Sequence, residues 1–150
     1  MERRNEVTIW IKNRLRTKEP ATAGIKIRLA SLLRAIGHPN AELSVLFIGD
    51  YAMRSLNRRY RNKDKTTDVL SFSLREGKFK DIRPELLGDI VISVPAARRQ
   101  ARQAGHELRH EIDCLLVHGL VHLLGYDHGR SGADARLMAG KERLLLKKLS

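Results

Sequence analysis

One cysteine, Cys114, is all the thiol chemistry that this chain of 150 residues contains. A single thiol excludes an intramolecular disulfide framework and fits a reducing compartment, so a cytoplasmic setting is expected. Long apolar runs are missing too. None approaches the length of a membrane span, and the first residues, MERRNEV, carry no signal-peptide core, so neither insertion into a membrane nor secretion is expected. There is no internal repeat, no low-complexity tract and no composition shift to mark a boundary. The length suits a single domain over residues 1–150, with a real core. Acidic residues are scarce beside basic ones, 17 against 29, which gives a formal net charge of +12. Such an excess repels itself in the folded state and favours polyanions, either nucleic acid or an anionic membrane surface.

Periodicity supplies the elements. Val7, Ile9 and Ile11 alternate with Thr8, Trp10 and Lys12, which predicts a strand. After a polar linker, Lys18 to Thr22, the spacing of Ile25, Leu29, Leu32, Leu33 and Ile36 predicts a helix ended by Gly37 and Pro39. Leu43 to Ile48 is a second strand. Asp50 is placed to cap the next helix, whose apolar stripe is Met53, Leu56 and Tyr60. Val69 to Leu74 and Ile90 to Val94 are two more strands, joined by a polar stretch, Arg75 to Glu85, expected to be a mobile loop. Pro95 opens a helix closed by Gly105, a helix over Glu107 to Leu124 follows, and Ala133 to Leu149 is a final amphipathic helix. The expected architecture is α+β: a small mixed sheet of about four strands packed against about five helices. Leu115, Leu116, Val117, Leu120, Val121, Leu123 and Leu124 leave the penultimate helix apolar nearly all round, so it is expected at the buried centre of the fold.

That helix carries the chemistry. Half of the six histidines, His118, His122 and His128, fall within eleven residues. His118 and His122 are four apart, on one face and about 6 Å apart along the axis. Gly125 can stop the helix so that His128 turns back towards that face. Buried imidazoles need partners for their nitrogens, and a shared metal is one economical partner. Three histidines with an open fourth position fit zinc best among divalent ions, although ligand type alone leaves nickel and copper open. The spacing of His118, His122, Gly125 and His128 matches the metzincin protease frame, but the second position is Gly119, where those proteases carry a glutamate base. Glu111 sits about two turns before His118, too far to ligate the same ion. Cys114, one turn before it, is preferred as a small buried hydrophobe. Asp127 either orients an imidazole through its second nitrogen or belongs to an ordinary turn.

A second stretch supplies a partner. Arg58, Arg59, Arg61, Lys63 and Lys65 surround Tyr60 within eight residues. Arginine forks and an aromatic ring suit a phosphate backbone, whereas a solvated helix end is the bland reading. Arg98, Arg99 and Arg102 form another patch, assigned to non-specific attraction or solubility.

HGLVHLLGYDH at 118–128, with LNRRYRNKDKTTDVLSFS at 56–73 and LLGDIVIS at 86–93, resembles the YbeY family of bacterial endoribonucleases, from about Leu43 to the C-terminal helix. Every fixed position of the family's H-G-x-x-H-L-x-G-Y-D-H motif is met. Thr66 and Ser73 stand where that family commonly has proline. The resemblance implies that His118, His122 and His128 bind the metal, usually zinc, and that Arg61 is the catalytic arginine beside it. It further implies a single-strand-specific, metal-dependent endoribonuclease. The implied role is maturation of ribosomal RNA, at the 3′ end of the small-subunit RNA, and ribosome quality control, with the small ribosomal subunit as partner. A metalloprotease and a non-catalytic RNA- or ribosome-binding module with a structural metal are the alternatives. The oligomeric state is open.

Overall fold

Alternation at the start of the chain becomes β1 (Thr8–Asn13), with Val7 and Ile9 buried and Trp10 left outside. The computed structural model describes residues 6–74, 85–125 and 132–150. Within them follow α1 (Thr22–Ala35), β2 (Glu42–Ile48), α2 (Asp50–Arg61), β3 (Val69–Ser73), β4 (Leu86–Ser93), α3 (Val94–Ala104), α4 (Leu108–Leu123) and α5 (Gly132–Leu149). The order is the one the periodicity predicts. Of the expected loop from Arg75 to Glu85, only Glu85 lies within the described residues.

The strands form one mixed sheet in the order β1-β2-β4-β3, with β1, β2 and β4 parallel and β3 antiparallel to β4. This is a single small α+β domain. Being paired on both sides, β4 buries Leu87, Ile90, Val91 and Ile92 on both faces, as strands inside a parallel sheet do. It begins at Leu86, four residues before the apolar run suggests, because Gly88 and Asp89 interrupt the pattern. Gly88 has φ +138° opposite Ser73, and a Cβ there would lie 2.0 Å from the Phe72 carbonyl oxygen, so only glycine lets β3 approach. Register also shifts here: Glu42 faces Leu86 but Leu43 faces Gly88, leaving Leu87 as the bulge.

The two faces of the sheet are covered unequally. On one, Ile9, Leu43, Val45, Phe47, Ile90 and Ile92 meet α1, α4 and α5 in the main core. The helical spacing in α1 is borne out by burial of Ile25, Leu29, Leu32 and Leu33. On the other, Ile48, Leu70 and Val91 pack with Met53 of α2 in a smaller cluster. Tyr60, expected in that apolar stripe, is instead 55% exposed, its ring meeting that of Phe72 on β3 edge to face.

Two ion pairs tie the layers. Arg28 of α1 places Nη1 2.8 and 2.9 Å from the two oxygens of the buried Asp113 of α4, and 3.5 Å from the Leu149 carbonyl. Asp50 does not cap α2: Gly49 is the cap and makes no side-chain bond. The Asp50 carboxylate points instead to α3, accepting from Arg99 Nη1 at 2.7 Å, from Ser93 Oγ at 2.9 Å and from Thr66 Oγ1 at 3.4 Å. Arg99 is thus ion-paired while staying half exposed on the basic patch, and Arg98 lies 3.7 Å from Glu19. Arg99 beside Asp50 holds its carboxyl below the usual range, against the opposing effect of burial. Thr66 stands where the resemblance expects proline, and its hydroxyl supplies a tie to Asp50 that proline lacks.

Replacing Arg28 with Met leaves a buried carboxylate without its cation, and urea denaturation is expected to show a loss of about 3 kcal/mol. The Asp50 contribution has the sign of a depressed carboxylate, full above the ordinary Asp value and lost as pH falls through the lowered one. The stability gap between wild type and Asp50→Asn is therefore expected to stay constant near neutrality and to close below about pH 4.

Candidate active site at the edge of the sheet

α4 buries Ile112, Leu115, Leu116, Val117, Leu120, Val121 and Leu123 against the sheet, α5 and α3. The expectation of a helix buried all round needs one correction: His118 and His122 lie on a stripe that stays open, with the His118 side chain 37% exposed. Their rings meet edge to face with centres 4.8 Å apart. His118 Nδ1 lies 2.8 Å from Glu142 Oε1 of α5. An ionised carboxylate only accepts, so Nδ1 carries the proton and the lone pair of Nε2 points away from Glu142. Gly125, at φ +96°, bonds back to the His122 carbonyl and ends the helix as expected. His128 and Asp127 lie outside the described residues. Among the described residues no three His, Cys, Asp or Glu side chains gather to hold an ion. The donor chemistry of the two described imidazoles, one of them braced by a carboxylate, fits a zinc-type cation.

Glu142 is the residue that sequence reasoning missed. It lies 24 positions from His118 in a charged helix, and no local pattern distinguishes it from the Lys and Arg around it. Glu111, placed too far before His118 to ligate the same ion, pairs with His106, Oε2 to Nε2 at 2.5 Å.

Across from the histidines stands Arg61, at the end of α2. β3 is an edge strand, so the carbonyls on its outer side are not used by the sheet. Arg61 Nη2 takes the Ser71 carbonyl at 2.7 Å, and its guanidinium carbon sits 4.9 Å from the centre of the Phe72 ring. Nη1 is 3.4 Å from the Tyr60 carbonyl, so these contacts use two of the five guanidinium donors. The result is a cleft of 260 Å³ lined by Arg61, Val69, Leu70, Ser71, His118, Gly119 and His122. The arginine cluster and the histidine helix, 57 positions apart from Arg61 to His118, thus meet over one strand. Arg58, Arg59, Lys63 and Lys65 are all exposed beside it. Buried Asn57 donates from Nδ2 to the Lys65 carbonyl and pins that basic turn under α2.

Gly119 has a packing role. A Cβ at this position would lie 3.0, 3.1 and 3.2 Å from three atoms of the fully buried Ile90. A side chain here would press on Ile90, so the closeness of α4 to β4 favours glycine where the protease frame has glutamate.

A family model described as "Endoribonuclease YbeY" matches residues 11–150. The chain belongs to the YbeY family. Curated YbeY endoribonucleases similar to it include one from Aquifex aeolicus, 43% identical over 98% of this chain and 93% of that one. Another, from Geobacter sulfurreducens, is 43% identical over 90% and 91%. The solution structure of a Thermotoga maritima protein shares the fold, with a TM-score of 0.70 at 22% identity, over 95% of this chain and 89% of that one. The YbeY segments quoted from the sequence are those that build the cleft: Arg61 and Ser71 from one, His118, Gly119 and His122 from another.

Gly119→Ala is expected to lower stability by about 1–2 kcal/mol in urea denaturation, because the fully buried Ile90 side chain would have to shift to admit the added carbon. The same replacement at an exposed helix position would raise it by up to about 1 kcal/mol.

Proposed function

We propose that this chain is a metal-dependent endoribonuclease that cleaves single-stranded RNA during ribosomal RNA maturation, in the cytoplasm and on or near the small ribosomal subunit. The observation that carries the proposal is the cleft at the β3 edge, where Arg61 faces His118 and His122. The endoribonuclease activity for which the YbeY relatives are named supports it. The net charge of +12 and the exposed Arg58, Arg59, Lys63 and Lys65 beside the cleft suit a polyanion whose backbone is drawn in by point charges.

In this reading His118, His122 and His128 hold one divalent ion, zinc by ligand type, and Glu142 fixes the His118 ring so that Nε2 faces the cleft. When bound, the ion supplies Lewis acidity at a phosphoryl oxygen. Arg61 grips a non-bridging oxygen of the scissile phosphate with the donors that Ser71 and Tyr60 leave over, and it stabilises the charge that grows there. Phe72 and the Ser71 carbonyl keep the guanidinium in place before substrate arrives, so little reorganisation is needed. The edge strand leaves the cleft open on one side, which suits a flexible single strand rather than a rigid duplex. Peptide hydrolysis is disfavoured by the basic surface and by the lack of a glutamate at position 119, where a side chain would press on Ile90.

Metal analysis paired with cleavage assays tests this. His122→Ala is expected to lose metal and cleavage together, whereas Arg61→Ala keeps its metal and loses about 10²–10³ in cleavage rate. Arg61→Ala cleaving single-stranded RNA at the wild-type rate would sink the assignment. Wild type that holds metal without cutting RNA would point to a binding module with a structural ion.

A further inference from the structure

Alternation gives each face of a sheet its own residues, and cross-strand register lines them up in rows. Ile9, Val45 and Ile90 lie in the main core, so their chain neighbours Trp10, Ser44 and Asp89 face the other way. Pairing sets Trp10 opposite Ser44, Ser44 opposite Asp89, and Asp89 opposite Phe72. One row therefore crosses all four strands on the face that α2 shares. The adjoining row, Lys12–Leu46–Val91–Leu70, is covered by Met53 and Leu56 of α2 over its three apolar members. Beyond that cover the face opens. Trp10, the single tryptophan of the chain, is 66% exposed, and Ser44, Asp89 and Phe72 are half-buried.

The open row begins at the cleft. Phe72 lies under the Arg61 guanidinium and meets the exposed Tyr60 ring edge to face, with centres 5.5 Å apart. Three strand spacings of about 4.8 Å then set Trp10 about 14 Å from Phe72. A nucleic-acid strand advances about 3.4 Å per nucleotide when stacked and more when drawn out, so about two to four nucleotides bridge the two ends.

RNA suits this face better than a protein partner does. The middle of the row is polar and holds a carboxylate, whereas the centre of a protein interface is depleted of charge. Asp89 repels phosphate but can accept from a base N–H, and every base carries one on its Watson–Crick edge. We propose that the row is a path for single-stranded RNA leading away from the cleft. One base stacks on Tyr60 beside the cleaved phosphate, and another stacks on Trp10. The bases between lie over Ser44 and Asp89, and exposed Lys12, two residues along the same face of β1, meets a phosphate next to the Trp10 base. Every base has a stacking face, so the path selects unpaired bases and a minimum length rather than a sequence. The proposal rests on the reading of the Arg61 cleft as the place of cleavage.

Being the single tryptophan, Trp10 reports on the path directly. Stopped-flow mixing with a single-stranded oligoribonucleotide of about ten nucleotides is expected to quench its fluorescence before the RNA is cut, whereas duplex RNA leaves it unchanged. Trp10→Ala is expected to raise KM for that oligonucleotide about tenfold with little change in kcat, and Trp10→Phe to recover most of the loss. An unchanged melting temperature checks that the exposed site leaves the fold intact. An oligonucleotide too short to reach from the cleft to Trp10 is expected to give wild type and Trp10→Ala the same KM. Fluorescence indifferent to single-stranded RNA, or an unchanged KM in Trp10→Ala, overturns the path. So does a Trp10→Ala protein that cleaves free RNA normally but no longer binds small ribosomal subunits, which would give this face to a protein. Quenching and a raised KM in Trp10→Ala, alongside an Arg61→Ala protein of wild-type rate, would keep Trp10 as an RNA contact and sink the cleft reading alone.

Discussion

The fit of α4 against the centre of the sheet is the contact on which the rest of this structure depends. Gly119 brings the helix so close to Ile90 of β4 that a single added carbon would sit at 3.0 Å. A helix seated that deeply buries almost its whole circumference, and the open remainder is one narrow stripe along its length. The histidine pair sits where that stripe passes beside the edge strand β3. Because β3 is the last strand, its outer carbonyls are available, and Arg61 comes round from the opposite face of the sheet to use one of them. Two elements on different faces thus converge because the sheet ends between them.

The charge imbalance follows a similar logic. Several of the few acidic residues are spent on positioning. Asp113 holds Arg28, Asp50 holds Arg99, Asp68 accepts from Gln100 Nε2, and Glu142 holds His118. With those carboxylates turned inward or paired, the cations of the α2 terminus and the following turn face outward with only Asp64, itself paired with Arg54, among them. Arg58, Arg59, Arg61, Lys63 and Lys65 are consequently left as exposed basic surface near the cleft. Thr66 fits this pattern, since its hydroxyl ties the basic turn to the Asp50 hub.

Much of this was legible in the residues. Helical spacing in α1, alternation in β1 and the stop at Gly125 are local consequences of dihedral preference and burial, so they survive reading one segment at a time. The histidine pair and the arginine cluster were legible as residue types at a spacing. The start of β4 was not, because a bulge at Leu87 and the positive φ of Gly88 break the alternation for reasons that lie in the neighbouring strands. Asp50 looked like a helix cap because the local pattern allows it, but three donors from other segments outcompete the backbone of α2.

By itself, then, the sequence determined the elements, the family and the donor atoms of the cleft, since these follow from side-chain chemistry and short-range periodicity. Only the tertiary structure decided which donors share a space. It put Arg61 opposite His118, assigned Glu142 to the His118 ring, and turned a helix that reads as apolar all round into one with an open row of His110, Cys114, His118 and His122. The physical reason is that burial and hydrogen-bond partnership are properties of pairs brought together by packing. A residue type carries its capacity to bond in the sequence, but its partner is chosen by whatever the fold places within about 3 Å.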